Sequence, residues 1–387
     1  MRINGPMAYV ALYAALYGAF GASSPFWPKF FETKALSSQQ IGLLLGATLL
    51  MRLVTGPLVG RLADLSRALR LVLSGCAILA AGMAAVLVAA DSFWFLLLIA
   101  LIQAGALAPT TSISDALSIN AAKPKGAGRS FEYGWIRGSA SAAFVAGTLI
   151  VGQLISQTEL GPIIWMNVVL LLTAAALTAL LSEPATPEPH TNASLSAPKL
   201  RELLGIPGFR ALIVVSALVY GSHAMHDAFA VVLWSDAGMS PSVISLLWSE
   251  AVASEVVVFF LIGPALVNRV GPRGAAVLAA VAGIVRWFVA SVTTSVLMLS
   301  IIQPLHGLTF ALLHLACMSM MGSMVPVSLS ATAQAFYALG GGFVTAGLTF
   351  SSGFVYARYG GAAFYPMAFL CGLALPFAWF GLTDTRE

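Results

Sequence analysis

The chain has 387 residues, of which 59% are hydrophobic and 9% charged, with a net charge of +4. A soluble domain carries roughly 25% charged residues, so this composition excludes water as the solvent for most of the surface, and a nucleic-acid partner is not expected. Apolar runs that continue for about 20 residues also exclude a β-barrel, whose strands alternate over about ten.

A hydrocarbon core ~30 Å thick takes ~20 apolar residues per helix, which leaves room for twelve spans, short loops and one linker. In chain order, spans are predicted at 6–28, 39–61, 71–90, 93–116, 130–154, 161–181, 208–234, 241–266, 274–292, 295–317, 332–356 and 361–382. The first run is too long for the apolar part of a cleavable leader and reads as span one. With the N-terminus in the cytoplasm, thirteen Lys and Arg residues of the loops fall inside, and only Lys29, Lys34 and Arg358 fall outside. That asymmetry follows the positive-inside rule and places both termini in the cytoplasm. Cys76, Cys317 and Cys371 all sit inside apolar runs, so neither a disulfide framework nor a thiolate metal site is expected, and no cofactor is implied.

Between spans six and seven, Ser182 to Pro207 is rich in Pro, Ser, Thr, Glu and Asn. Such a stretch buries too little apolar surface to order itself and reads as a linker. The expected organisation is an N-terminal six-helix bundle (1–181), a cytoplasmic linker (182–207) and a C-terminal six-helix bundle (208–387). The halves echo one another: Gly56-Pro57-Leu58-Val59-Gly60-Arg61 after span two against Gly263-Pro264-Ala265-Leu266-Val267-Asn268-Arg269 after span eight, and Leu101-Ile102-Gln103 against Ile301-Ile302-Gln303. Parallel repeats of this kind point to a two-bundle transporter with its site near the midplane.

Seven strongly ionisable side chains fall inside predicted spans: Arg52, Asp115, Arg137, Asp227, Glu250, Glu255 and Arg286. At ~3 kcal/mol each they would cost roughly 20 kcal/mol against lipid, so they are expected to face the bundle interior or water. On span ten, Gln303, His306, Phe310 and His314 fall within about 80° at 100° per residue. On span seven Tyr220, His223, Asp227 and Trp234 share a face with His226 at its edge, and on span eight Trp248 and Glu255 nearly coincide while Glu250 points away. Counting ~1.5 Å per residue puts Glu255, Arg286 and His306 at similar depth, where they can meet. A carboxylate in low dielectric holds its proton, and an approaching guanidinium displaces it, so this set suits proton coupling. Glu255 is the expected carrier, Arg286 the movable cation, and His306 a substrate partner or second titrating group. Asp115 and Arg137 are the expected pair of the N-terminal half, as a fixed clamp or as proton and substrate contacts. His223, Asp227, Trp248, Gln303, His314 and Tyr133 complete the candidate substrate residues. His223, His226 and Asp227 also offer two histidines at i and i+3 beside a carboxylate, an alternative that would ligate a divalent metal given a third ligand.

Gly60-Arg61-Leu62-Ala63-Asp64-Leu65-Ser66-Arg67 resembles the Gly-x-x-x-Asp motif of the major facilitator superfamily, which implies a gate made by Gly60, Arg61, Asp64 and Arg67. The copy at Asn268–Arg273 lacks the aspartate. Pro25-Phe26-Trp27-Pro28, Gln40-Ile41-Gly42, Ser114-Asp115-Ala116, Tyr133-Gly134-Trp135-Ile136-Arg137-Gly138-Ser139, Gly221-Ser222-His223-Ala224, Leu247-Trp248 with Glu255-Val256, and Gln303-Pro304-Leu305-His306-Gly307-Leu308-Thr309-Phe310 resemble the phenylpropionate permease family. More distantly the chain is similar to the lactose and nucleoside proton symporters. The resemblance implies a monomeric carrier of the bacterial inner membrane that moves protons with a small organic solute, such as 3-phenylpropionate, a sugar or a nucleoside. Efflux or divalent-metal transport on the same fold are the alternatives. A passive channel, a receptor or an intramembrane enzyme are those of another class; for the enzyme, Gly221-Ser222-His223 sets a hydroxyl beside an imidazole, but on a helix neighbours diverge by 100°.

Overall fold

The computed structural model describes residues 6–122, 133–181 and 197–382. Within them the secondary structure is helical throughout, with no strand among the described residues. Eight continuous stretches are long and apolar enough to cross a membrane. Two of these, Pro241–Val292 and Thr332–Gly381, run to 52 and 50 residues and hold two spans each. With the apolar helix Pro6–Ser23 and the helix Tyr133–Leu154, the spans number twelve.

Four spans are broken, and they recur at every third position. Span one ends at Ser23 and resumes as Trp27–Thr33, span four is Phe93–Leu107 then Thr110–Ala122, span seven is Pro207–Gly221 then Ala224–Asp236, and span ten stops at Ile302 and restarts at Leu305. The breaks at Pro109 and Pro304 follow from chemistry, because proline has no N–H to return to the preceding turn and its ring crowds that carbonyl. The break in span seven has no proline. There Ser222 turns its hydroxyl onto the Val219 carbonyl at 2.6 Å and the His223 ring turns Nδ1 to the same oxygen at 3.1 Å, competing with the backbone for the helical acceptor.

Other ends are set by familiar local chemistry. Span two, Ser38–Ser66, opens on a capping box in which the Ser37 side chain accepts from the Gln40 N–H and the Gln40 side chain accepts from the Ser37 N–H. Spans eight and nine are joined at Gly271, whose φ of 75° only glycine adopts without strain, followed by Pro272. The expected linker departs from its prediction in part: Ala197–Gly205 is a helix, and Leu203 on it is fully buried in the core of the C-terminal spans. The burial of Leu203 is what composition alone did not suggest. Residues 182–196 lie outside the described residues.

The chain divides into two compact units, one of Met1–Gln40, Ala47–His190 and Met239–Leu246, the other of Ile41–Gly46, Thr191–Gly238 and Leu247–Glu387. In the first, spans one and five touch backbone to backbone: a Cβ on Gly21 would lie 2.0 Å from the Phe144 carbonyl oxygen, and one on Gly147 would lie 2.4 Å from that of Gly18. Buried polar groups lock that contact. Asn167 donates to the Ala19 carbonyl at 3.1 Å and to Ser23 at 3.0 Å, and Thr148 donates to the Gly21 carbonyl at 2.8 Å. In the second unit, span nine is the centre, with Ala275, Ala276, Ala279 and Ala280 all fully buried. A Cβ on Gly283 would lie 2.4 Å from Cys371 Sγ, and one on Gly307 would lie 2.6 Å from the Ser254 carbonyl oxygen.

Candidate functional site

Two π-helical turns frame the charged cluster of the second unit. Span eight passes from α to π at Val258–Ile262, and span ten does so at Leu308–Leu312. Glu255 and His306 stand just ahead of these turns. The spans meet there because Gly307 has no side chain and its N–H is bound by the Ser254 hydroxyl at 3.0 Å. π turns inside α-helices are frequent at functional sites, since the extra residue re-aims neighbouring side chains.

Arg286, His306, Glu255 and Gln303 form one hydrogen-bonded chain. Arg286 Nη1 lies 2.8 Å from His306 Nδ1, Arg286 Nη2 donates to Gln303 Oε1 at 2.9 Å, and His306 Nε2 lies 2.6 Å from Glu255 Oε1. A guanidinium carries donors only, so His306 Nδ1 must accept; the ring proton is then on Nε2, and Glu255 Oε1 accepts it. Arg286 is fully buried with its guanidinium 4.4 Å from the Trp287 ring, whereas the Glu255 and His306 side chains are 22% and 14% exposed. Trp287 is held in turn by Ser222, whose hydroxyl accepts from Trp287 Nε1 at 2.8 Å and from Cys371 Sγ at 3.3 Å. The Ser222 hydroxyl is thereby committed to structure and is not poised against the His223 imidazole.

His223 is buried, with Nδ1 facing the carbonyls of Val219 and Tyr220 and Nε2 2.9 Å from Thr309 Oγ1; its ring centre is 5.1 Å from that of His306. His226 turns the other way, with Nδ1 3.1 Å from Asp227 Oδ1 and its ring stacked on Trp248 at 4.8 Å, near Trp234 at 5.7 Å. The face expected for span seven does not survive the break at Ser222 and His223: Asp227 is 56% exposed, while His223 and Trp234 are buried. Among the described residues no group of three or more His, Cys, Asp or Glu is gathered to hold a metal ion. His223 and His226 point their rings to different partners, which removes the geometric basis of the metal alternative.

His314 leaves the cluster. Its ring lies 5.9 Å from Phe259 and 6.2 Å from Tyr337, whereas His306 and Phe310 stack at 5.7 Å. No hydrogen bond or ring contact joins His314 to Glu255, Arg286 or His306 among the described residues. Glu250 also stands apart, accepting from Ser300 at 3.2 Å.

In the first unit, the Tyr13 hydroxyl donates to Asp115 and lies 3.1 Å from Ser118, and Arg137 donates to the Tyr17 hydroxyl with its guanidinium 5.2 Å from that ring. Tyr13 and Tyr17 stack on each other at 5.7 Å. Sequence reasoning did not single out these tyrosines, although Tyr9, Tyr13 and Tyr17 recur at i, i+4 and i+8 on one helix face. Arg137 is exposed and Asp115 partly buried. Tyr133 opens the helix Tyr133–Leu154, and its side chain lies outside the described ones. Gly60, Arg61, Asp64 and Arg67 occupy the end of span two, with Arg61, Asp64 and Arg67 exposed and Arg67 in the left-handed conformation that caps the helix.

A family model described as the MFS_1 like family matches residues 7–367. The chain belongs to that family. It is therefore a multi-pass membrane protein with the major facilitator fold and a secondary transporter, not an enzyme. It is 29% identical over 378 residues to a protein of Escherichia coli (strain K12) named "Probable 3-phenylpropionic acid transporter", covering 94% of each chain. It is 25% identical over 361 residues to the maltose permease of Geobacillus stearothermophilus, covering 93% of this chain and 90% of that one. The crystal structure of the nucleoside transporter NupG superimposes with a TM-score of 0.83 at 18% identity, covering 97% of both chains.

Proposed function

We propose that this chain is a proton-coupled symporter of a small organic solute, an aromatic carboxylate such as 3-phenylpropionate, working by alternating access between halves 1–181 and 208–387. It sits in a bacterial cytoplasmic membrane as a monomer with both termini inside. The observation that carries this reading is the unbroken chain from Arg286 through His306 to Glu255. While Arg286 donates to His306 Nδ1, the lone pair of that nitrogen is occupied and takes no proton, so a proton entering the cluster must take the other oxygen of Glu255 or wait until Arg286 withdraws. Charge movement and conformation are thus tied at one imidazole, which is what coupling requires. The relative named for 3-phenylpropionic acid covers nearly the whole chain and supports the substrate class, as do the aromatic rings of Trp248, Trp287 and Phe310 around the cluster.

The test is uptake of labelled 3-phenylpropionate into proteoliposomes with an imposed inward proton gradient. Accumulation above the external concentration, abolished by a protonophore, is expected. Equilibration without accumulation would make the protein a passive pathway and sink the coupling.

A further inference from the structure

The exposed polar groups of the second unit's cluster carry one sign of charge. Its one guanidinium, Arg286, is fully buried, with both terminal nitrogens engaged by His306 and Gln303, its face on Trp287 and its Nε unpartnered. Two imidazoles are engaged by the protein itself: His306 accepts from Arg286, and His223 turns Nδ1 to two carbonyls and Nε2 to Thr309. What remains open is acidic, namely Glu255 at 22% and Asp227 at 56% exposure. Beside Asp227 stands the half-buried indole of Trp248, joined to it through His226, which stacks on the indole and holds the carboxylate.

A carboxylate inside a membrane span has no structural use unless something takes its charge. Asp115 in the first unit shows the structural solution, partly buried and bound by Tyr13. Asp227 is different: among the described residues no lysine or arginine pairs with it, and only His226 orients it. His226 itself is buried, and its Nε2 has no hydrogen-bond partner, as is also true of Gln303 Nε2 in the same cluster. An oriented, open acceptor next to an aromatic face is the arrangement that recognises a hydrogen-bond donor or a cation attached to a ring.

We propose that Asp227, positioned by His226 beside Trp248, receives a hydrogen-bond-donating group on the substrate, a ring hydroxyl or an ammonium. This deepens the reading of the chain as a carrier of small aromatic solutes and rests on it. The preferred solute is then a ring bearing a donor at the end remote from its carboxylate, and an unsubstituted ring is the poorer ligand because it leaves the carboxylate desolvated and unpaired.

The test measures binding to the purified full-length protein of three probes: 3-phenylpropionate, 3-(4-hydroxyphenyl)propionate and 2-phenylethylammonium. In the unaltered protein at least one donor-bearing probe should bind on the order of tenfold more tightly than 3-phenylpropionate, since hydrogen bonds to charged groups are the stronger kind. Which of the two wins tells a hydroxyl site from a cation site. Asp227→Asn should erase that preference, by weakening the donor-bearing probe and relieving the penalty that an unpaired carboxylate imposes on 3-phenylpropionate. Trp248→Leu should weaken all three and keep the preference, which serves if Asp227→Asn fails to fold. An absent preference in the unaltered protein, or equal losses for all probes in Asp227→Asn, overturns the assignment. Binding of 3-phenylpropionate with no preference refutes this inference alone, whereas failure of all three probes refutes the aromatic substrate class as well.

Discussion

His306 Nδ1 stands 2.8 Å from Arg286 Nη1, and because the guanidinium offers only donors, that contact dictates the tautomer of the imidazole and hence the direction of its bond to Glu255. Three residues from spans eight, nine and ten thereby share a single protonation state. Removing any one of them changes what the other two can hold.

Glu255→Gln should abolish accumulation driven by a proton gradient, bringing the ratio of internal to external solute to about one, while solute exchange across the membrane continues. A glutamine still accepts from His306 Nε2 but binds no proton, so the cycle runs only with the carrier in one state. Counterflow in proteoliposomes separates the outcomes, and loss of exchange together with accumulation would make Glu255 a substrate ligand instead.

Arg286→Gln should also abolish accumulation, and Arg286→Lys should fail to restore it. The guanidinium makes two directed contacts, to His306 and Gln303, while lying over Trp287, and an ammonium cannot reproduce that planar fork. Leaving the buried Gln303 and the partly buried His306 without their donor costs about 1–3 kcal/mol per group at most, so both variants should melt at lower temperature in detergent. Full transport by Arg286→Lys would show that only the charge matters.

Gly307→Ala should separate the Glu255 pair without touching a charge. The new Cβ would lie 2.6 Å from the Ser254 carbonyl oxygen, which is backbone and cannot swing aside. Overpacking of this kind costs about 1–3 kcal/mol. The expected result is a lowered melting temperature and impaired uphill transport, with binding of the solute reduced less than coupling. Unchanged coupling in a folded Gly307→Ala protein would show that the close approach of spans eight and ten is incidental.

The span count was readable because hydrocarbon thickness imposes one length on every apolar run. The meeting of Glu255, Arg286 and His306 was readable because charges inside a bilayer must seek one another. What stayed hidden were departures from 100° per residue. Pro109 and Pro304 advertise the breaks in spans four and ten, but Ser222 and His223 break span seven through side chains that look ordinary in sequence. The π turn at Leu308–Leu312 carries no composition signal at all, nor does the packing of His314 against Phe259 and Tyr337. Tyr13 and Tyr17 escaped notice for another reason: aromatic residues at helical spacing are ordinary core packing until an acid and an arginine are seen against them.

Those tyrosines lead to a test of where a substrate carboxylate is held. Arg137 is exposed, with Tyr17 beneath it as hydrogen-bond acceptor and cation–π partner, whereas Arg286 is fully buried behind His306 and Gln303. An exposed guanidinium can meet a substrate carboxylate, and a charge-assisted pair of this kind is about twice as strong as a neutral hydrogen bond. Arg137→Gln should weaken 3-phenylpropionate binding on the order of tenfold or more and leave the uncharged 3-phenylpropanamide within about twofold. Tyr17→Phe keeps the ring under the guanidinium and loses only the acceptor, so its effect should have the same selectivity and be smaller. If both variants weaken acid and amide alike, Arg137 shapes the first unit and does not hold the substrate's charge; if neither affects the acid, the carboxylate must reach Arg286, which requires the cluster of the second unit to open.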